Sequence, residues 1–190
     1  MVIKNIDGEV LFESKANSIK EALEEAVRNR VPLRGAQLNG TTISRACLDE
    51  AQLEEATFQR SLLYKVSFRK AHLSEANFFL ADLGEASLKD AFLNGAYFRD
   101  ACLDGANLDA KTPPLDSHRF ISEVLWRSAE KGSQKDFAAR VRVETCKCWE
   151  QFYLLAREKK VLSWAKRVLS KWTTYREQIQ SVERRLKKCR

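Results

Sequence analysis

From Val31 to Ala110 the chain repeats every five residues, through sixteen units without a slip. The central residues are Leu33, Leu38, Ile43, Leu48, Leu53, Phe58, Leu63, Phe68, Leu73, Phe78, Leu83, Leu88, Leu93, Phe98, Leu103 and Leu108, always Leu, Ile or Phe. Two places before each stands a short side chain, Ala in twelve of the sixteen units. On a helix of 3.6 residues per turn a period of five would scatter the large side chains around the whole surface; on a flat strand they would alternate between faces. A coil that turns a corner once per unit sends every fifth side chain inward. One large and one small residue per side is what a narrow interior holds at crystal-like density, which accounts for the Ala beside each Leu or Phe. Grouping the centres by twenty places Phe58, Phe78 and Phe98 on one side, where their rings are expected to stack as core.

Three units, Ala76-Asn77-Phe78-Phe79-Leu80, Ala81-Asp82-Leu83-Gly84-Glu85 and Ala106-Asn107-Leu108-Asp109-Ala110, read directly as A-(D/N)-L-x-x. With them the segment resembles the pentapeptide-repeat family over about 80 of the 190 residues. The resemblance implies a right-handed quadrilateral β-helix with four units per coil, about four coils in all, or a stack about 20 Å long at the usual strand spacing. The expected fold class is therefore a mainly β solenoid plus α, with an N-terminal hairpin-helix cap and a C-terminal helical region. The layout also resembles that of proteins from bacteria and their phages.

A solenoid exposes unpaired backbone at both ends, so its flanks are read as caps. Residues 1–30 carry two short apolar runs around Asp7-Gly8, the chemistry of a two-residue hairpin turn. Ser18 and Glu21 then form a capping box for a helix to about Arg30, with Ile19, Ala22, Leu23, Ala26 and Val27 on one face. The repeat occupies 31–110. At Lys111-Thr112-Pro113-Pro114 the ladder is expected to stop. Residues 111–190 then read as helices. Asp116 or Ser117 caps the first, which carries Phe120, Ile121, Val124 and Leu125 and ends near Gly132. Ser133 caps a second, continuous or broken midway, with Phe137, Val141, Cys148, Trp149, Phe152 and Leu155. In the third, Val161, Ala165, Val168, Trp172, Tyr175, Ile179, Val182 and Leu186 form a seam of nearly four heptads. That seam can pack within the chain, against the same helix of a second subunit, or on another protein.

Charge separates these regions: the net is −1 over 1–30, −3 over 31–110 and +11 over 111–190, within a total of +7. A basic block of this size can attract nucleic acid, an acidic protein face or an anionic surface. The five cysteines, at 47, 102, 146, 148 and 189, have no framework spacing and read as free thiols in a cytoplasmic protein. No apolar run approaches the roughly 20 residues of a membrane span, and no secretory leader is visible at Met1.

Nothing in the sequence assembles a catalytic or cofactor site. His72 and His118 lie in different regions, Cys146 and Cys148 lack a partner pair for zinc, and no phosphate loop or nucleophile elbow occurs. Binding is therefore sought at outward repeat positions. Leu62, Tyr64, Phe79, Leu80, Phe92 and Tyr97 are apolar or aromatic there and form the candidate protein-binding patch, unless the helical tail covers it. The function expected is a non-catalytic protein-protein interaction scaffold with a helical docking or dimerisation tail, its protein partner unidentified. The alternative is a nucleic-acid-related role, by mimicry of DNA against a topoisomerase such as gyrase or by direct binding through the basic tail.

Overall fold

Backbone hydrogen bonds in the repeat join residues about twenty apart in sequence. The computed structural model describes residues 1–114, 118–143 and 149–188. Contacts divide the chain into two units, Met1–Pro114 and Leu115–Arg190.

In the first unit, parallel bridges run Gln37↔Thr57↔Asn77↔Tyr97, Thr42↔Leu62↔Asp82↔Cys102, Cys47↔Ser67↔Ser87↔Asn107 and Gln52↔His72↔Phe92↔Thr112. These four ladders define a fold of the β-helix type. A single unit shows how completely the backbone is used. Ala76 N–H closes a turn onto Leu73 O (3.1 Å), Asn77 N–H reaches back to Ala56 O (2.9 Å), and Phe78 and Leu80 N–H reach forward to Tyr97 O (2.8 Å) and Arg99 O (3.1 Å). The one remaining donor, Phe79 N–H, is taken by Asn77 Oδ1 at 3.0 Å. Asp82 and Asn107 serve Gly84 and Asp109 in the same way, each at 2.9 Å. This gives the Asn or Asp of the motif a physical reason: its side chain meets the one N–H that the ladders leave over.

Every fifth residue from Gly35 to Gly105 has a positive φ, between 52° and 71°. Only Gly35, Gly40, Gly95 and Gly105 among these are glycine; the rest are charged, except Leu80. A left-handed L residue costs roughly 1–2 kcal/mol, so the corners are individually unfavourable and depend on the interior for compensation. That interior is dry. All sixteen central residues are buried, from Leu33 to Leu108, as are the small residues from Ala46 to Ala106. Phe58, Phe78 and Phe98 stack at 5.1 and 4.8 Å with nearly parallel rings, and Phe68 meets the first two edge-on at 5.8 and 6.0 Å. The polar exception, Ser61, donates to Leu38 O at 2.7 Å.

The N-terminal elements pair with the first ladder residues. β1 (Val2–Lys4) and β2 (Val10–Glu13) are antiparallel. Their loop is Ile6-Asp7-Gly8, one residue longer than the two-residue turn expected: Gly8 N–H donates to Asn5 O at 3.1 Å with φ +84°, and Asn5 pairs with Glu9. Asn5 Oδ1 accepts from Asp7 and Glu9 N–H, which favours this bulged form. Helix α1 (Ile19–Arg28) is capped by Ser18, whose side chain accepts from Glu21 N–H at 3.2 Å. It ends in a left-handed Arg30 with Val31 N–H on Ala26 O at 2.9 Å, a Schellman arrangement. Ala22, Leu23 and Ala26 are buried. Asn5 bridges Ala36, Lys4 O accepts from Gln37 N–H at 2.8 Å, and Glu24 Oε1 accepts from Cys47 N–H at 2.9 Å, so hairpin and helix each satisfy a ladder's open end.

At the other end the ladder runs further than expected. Thr112 bridges Phe92, with Leu93 N–H on Thr112 O at 2.8 Å. Lys111 and Thr112 keep their N–H groups; the prolines at 113 and 114 do not, and pairing stops there.

The second unit holds five helices among the described residues: α2 (His118–Arg127), α3 (Gly132–Val143), α4 (Trp149–Glu158), α5 (Leu162–Leu169) and α6 (Thr173–Lys188). Asp116, Ser117 and Cys148 lie outside the described residues. Gly132 opens α3 instead of closing the helix before it, because the Gln134 side chain accepts from Glu130 and Lys131 N–H at 2.8 and 3.1 Å. Phe120, Ile121, Val124, Leu125, Phe137, Val141, Phe152 and Leu155 are buried as read from the periodicity.

The heptad seam is corrected. Ala165 and Val168 lie on α5 with Val161 just before it, Tyr175, Ile179, Val182 and Leu186 on α6, and Trp172 in the break between. One continuous helix does not form. Ser170 Oγ bonds Lys166 O, Arg176 donates to Ser170 O at 3.0 Å, and Trp172 turns inward against Phe120 (6.1 Å) and Tyr175 (5.5 Å). Val161, Ala165, Trp172, Tyr175, Ile179 and Val182 are buried within the chain.

Three variants test this balance in urea unfolding of the full chain. Phe78→Ala removes a ring stacked on both sides and should cost about 3–5 kcal/mol. Gly95→Ala brings a Cβ to 3.0 Å from Glu75 Cγ at a φ of +69° and should cost about 1–2 kcal/mol, whereas Asp100→Gly should cost nothing.

Candidate interaction surface

With inward side chains and backbone committed, the exterior is what the repeat has to offer. Leu62 lies on the Thr42–Cys102 ladder and Tyr97 on the Gln37–Thr57–Asn77 ladder, and both are exposed, at 49% and 44%. Leu80 is exposed at 43% and has a left-handed φ of 57°, in a row of corners otherwise glycine or charged. Phe79 is half-buried, its ring 6.4 Å from that of Tyr97. Thus Phe79, Leu80 and Tyr97 gather at one place, the first two adjacent in the chain.

Tyr64 is held differently. Its hydroxyl donates to Glu85 Oε1, Lys65 lies 3.1 Å from the same carboxylate, and the Lys65 ammonium sits 5.1 Å from the Tyr64 ring centre. Gly84 makes the room: a Cβ there would stand 3.1 Å from Tyr64 Cδ2. The Tyr64 hydroxyl and then Lys65 hold the Glu85 carboxyl below its ordinary range, and Glu85 raises the Lys65 ammonium in turn. The sequence signal for this contact was a glycine at the fourth place of its unit, where the others carry a side chain.

Phe92 belongs to another ladder, with Gln52 and His72. Its ring stacks on His72 at 4.6 Å, and the Lys111 ammonium lies 4.7 Å from the Phe92 centroid. His72 Nδ1 is 3.5 Å from Glu54, and Lys70 is 3.7 Å from Glu50, along an open groove of about 760 Å³. His72 is therefore a partner of neighbouring surface groups, with no nucleophile among those contacts.

A family model described as Pentapeptide repeats (8 copies) matches residues 31–60, 51–78 and 76–110. Residues 31–110 belong to the pentapeptide-repeat family. Pentapeptide-repeat proteins of known structure that resemble the chain include one from the Arabidopsis thaliana thylakoid lumen, 20% identical, covering 46% of this chain and 57% of that one with a TM-score of 0.39. Rfr23 from the cyanobacterium Cyanothece is 24% identical, over 42% of this chain and 63% of its own, with a TM-score of 0.28. HetL from the cyanobacterium Nostoc, a protein involved in heterocyst differentiation regulation, is 27% identical over 44% and 48% respectively, with a TM-score of 0.27. The chain thus spans about half to three-fifths of the length of these relatives. No curated protein matches it.

Among the described residues, no helix is long and apolar enough to cross a membrane, and no three His, Cys, Asp or Glu side chains gather as metal ligands. Cys47 is exposed and free, while burial raises the pKa of the free Cys102 thiol. Cys146, Cys148 and Cys189 lie outside the described residues, and His118 falls in the first turn of α2.

The Tyr64 contact predicts a titration. Tyr64→Phe should raise the midpoint of Glu85 toward its ordinary value of 4.5, read from the carboxyl carbon resonance. Because the folded carboxyl is depressed, its contribution to stability is present above pH 4.5 and disappears as pH falls through the lower folded midpoint; both partners being exposed, the change in stability should be small.

Proposed function

We propose that this protein is a non-catalytic protein-protein interaction scaffold, its repeat winding a right-handed, four-sided solenoid of about four coils that displays the Phe79, Leu80 and Tyr97 cluster to a protein partner. The observation that carries the reading is Leu80. A bulky apolar side chain in the left-handed region is an uncommon choice with a conformational cost, and here it also stands in solvent. Neither the turn nor the core gains from leucine at that corner; a contact with another protein would. Phe79 and Tyr97 beside it supply the aromatic area that dominates protein interfaces.

Mimicry of duplex DNA is less well supported, because Arg34–Glu55, Lys65–Glu85 and Lys70–Glu50 pair opposite charges across neighbouring turns and break up an anionic face. The helical unit contributes a basic, docking exterior. Its seam side chains being largely buried among their own helices, we do not assign them to a dimer contact.

Affinity capture by the full-length protein from its native cells tests the scaffold reading, with Leu80→Glu/Tyr97→Ser as the matched bait. The expected result is a protein retained by the parent and lost by the variant, whose unfolding midpoint is unchanged. Equal capture by both baits would remove the cluster from the interface.

A further inference from the structure

The helical unit contains a cavity of about 410 Å³ whose charge is one-sided. Lys131, Lys160 and Arg167 line it, together with Ser133, Ser163 and the edge of Trp164. The three cations come from different places in the chain: ahead of α3, after α4, and on α5. Among the described residues no carboxylate lines the cavity. Among the described residues none of the three forms an ion pair, whereas elsewhere in this unit Lys166 pairs with Glu183 at 2.6 Å and Arg127 with Glu123 at 2.9 Å. Like charges around one recess repel, and no acidic side chain among the described residues lines it to offset them. The floor is firm and apolar: Val161 and Trp164 are buried, and the indole N–H is committed to Ser128 O at 3.2 Å.

We propose that this cavity binds the phosphate monoester group of a ligand. Such a group concentrates about −1.5 to −2 charges and three acceptor oxygens at one point near neutral pH, matching three cations and two hydroxyls around one recess. The flanking helices agree with this: the first turns of α3 and α5 carry no acidic residue, and no side chain caps α5 at Val161. A nucleic-acid backbone fits less well. It presents single charges strung along each strand, one per about 3.4 Å of helix axis, which call for a stripe of cations, and the buried Trp164 offers no face for a base to stack on.

The test uses the ¹⁵N-labelled full-length chain, titrated separately with a phosphoserine peptide, its unphosphorylated form, glucose 6-phosphate and a duplex oligonucleotide. Saturable shifts of the Ser133 and Ser163 amides are expected with the monoesters and not with the unphosphorylated peptide. Tighter binding of the peptide would identify a phosphorylated protein as the source, and tighter binding of the sugar phosphate a small metabolite; both support the site. Lys160→Glu/Arg167→Glu should weaken binding at least about tenfold, the loss of one or two charge-assisted hydrogen bonds. Lys131→Gln/Arg167→Gln, milder at the surface, provides the same comparison should the reversed pair perturb folding. The proposal is overturned if no monoester saturates the amide shifts, if the variants bind as the parent does, or if the duplex binds more tightly than either monoester through these residues. It does not depend on the Leu80 cluster, and failure of the capture experiment leaves it standing.

Discussion

Hydrogen bonds that reach nineteen to twenty-one residues along the chain close the repeat on itself, and they constrain every position in it. Four of the five N–H groups in a unit such as 76–80 are taken by main-chain carbonyls, and the fifth by Asn77. A backbone so fully paired cannot relax one corner without losing contacts a full turn away. This is why a left-handed corner can recur every five residues with Arg, Glu, Lys or Asp in place of glycine. The strain is local, while the compensation, buried Leu and Phe on a common axis, is collective.

The same closure separates packing from recognition. Inward positions have almost no freedom, since a larger neighbour would meet the stack of Phe58, Phe78 and Phe98. Outward positions answer to their own corner and to the side chains one turn above and below. Charged pairs such as Lys65–Glu85 and rings such as His72–Phe92 are neighbours of that kind. Against this background an exposed leucine at a strained corner stands out, as do three cations around one cavity in the helical unit, none of them ion-paired among the described residues. The two features belong to separate units and to different chemistry, one apolar and one anionic in its demand.

Much of the core was legible because its period is unusual. Each centre from Leu33 to Leu108 is buried, and the phenylalanine stack lies where a spacing of twenty puts it. The helices were less legible. Amphipathic spacing identified Phe120, Phe137 and Phe152 as buried, yet it missed the break at Ser170–Trp172, where backbone carbonyls find side-chain and turn partners that heptad spacing does not encode. The hairpin loop lengthened for a similar reason: Asn5 offered its side chain to two amides. Of the six outward residues grouped from sequence, Phe79 meets Tyr97 with Leu80 next to it in the chain, Tyr64 turns to Glu85, Phe92 belongs with His72, and Leu62 lies exposed on another ladder. Which outward neighbours touch depends on side-chain direction, about which periodicity is silent.

By itself, the sequence determined that residues 31–110 wind around a dry axis, because no other geometry buries a side chain at every fifth place. It also determined that the winding cannot pass Pro113 and Pro114, which have no N–H, although pairing reaches Thr112, further than the repeat itself indicated. Only the tertiary structure decided that Lys131, Lys160 and Arg167 share one recess, since Lys131 precedes the other two by about thirty residues and no single helix carries all three. Sequence spacing is a one-dimensional record; it captures what repeats, whereas a site assembled from three loops and helices exists only once the chain has folded back on itself.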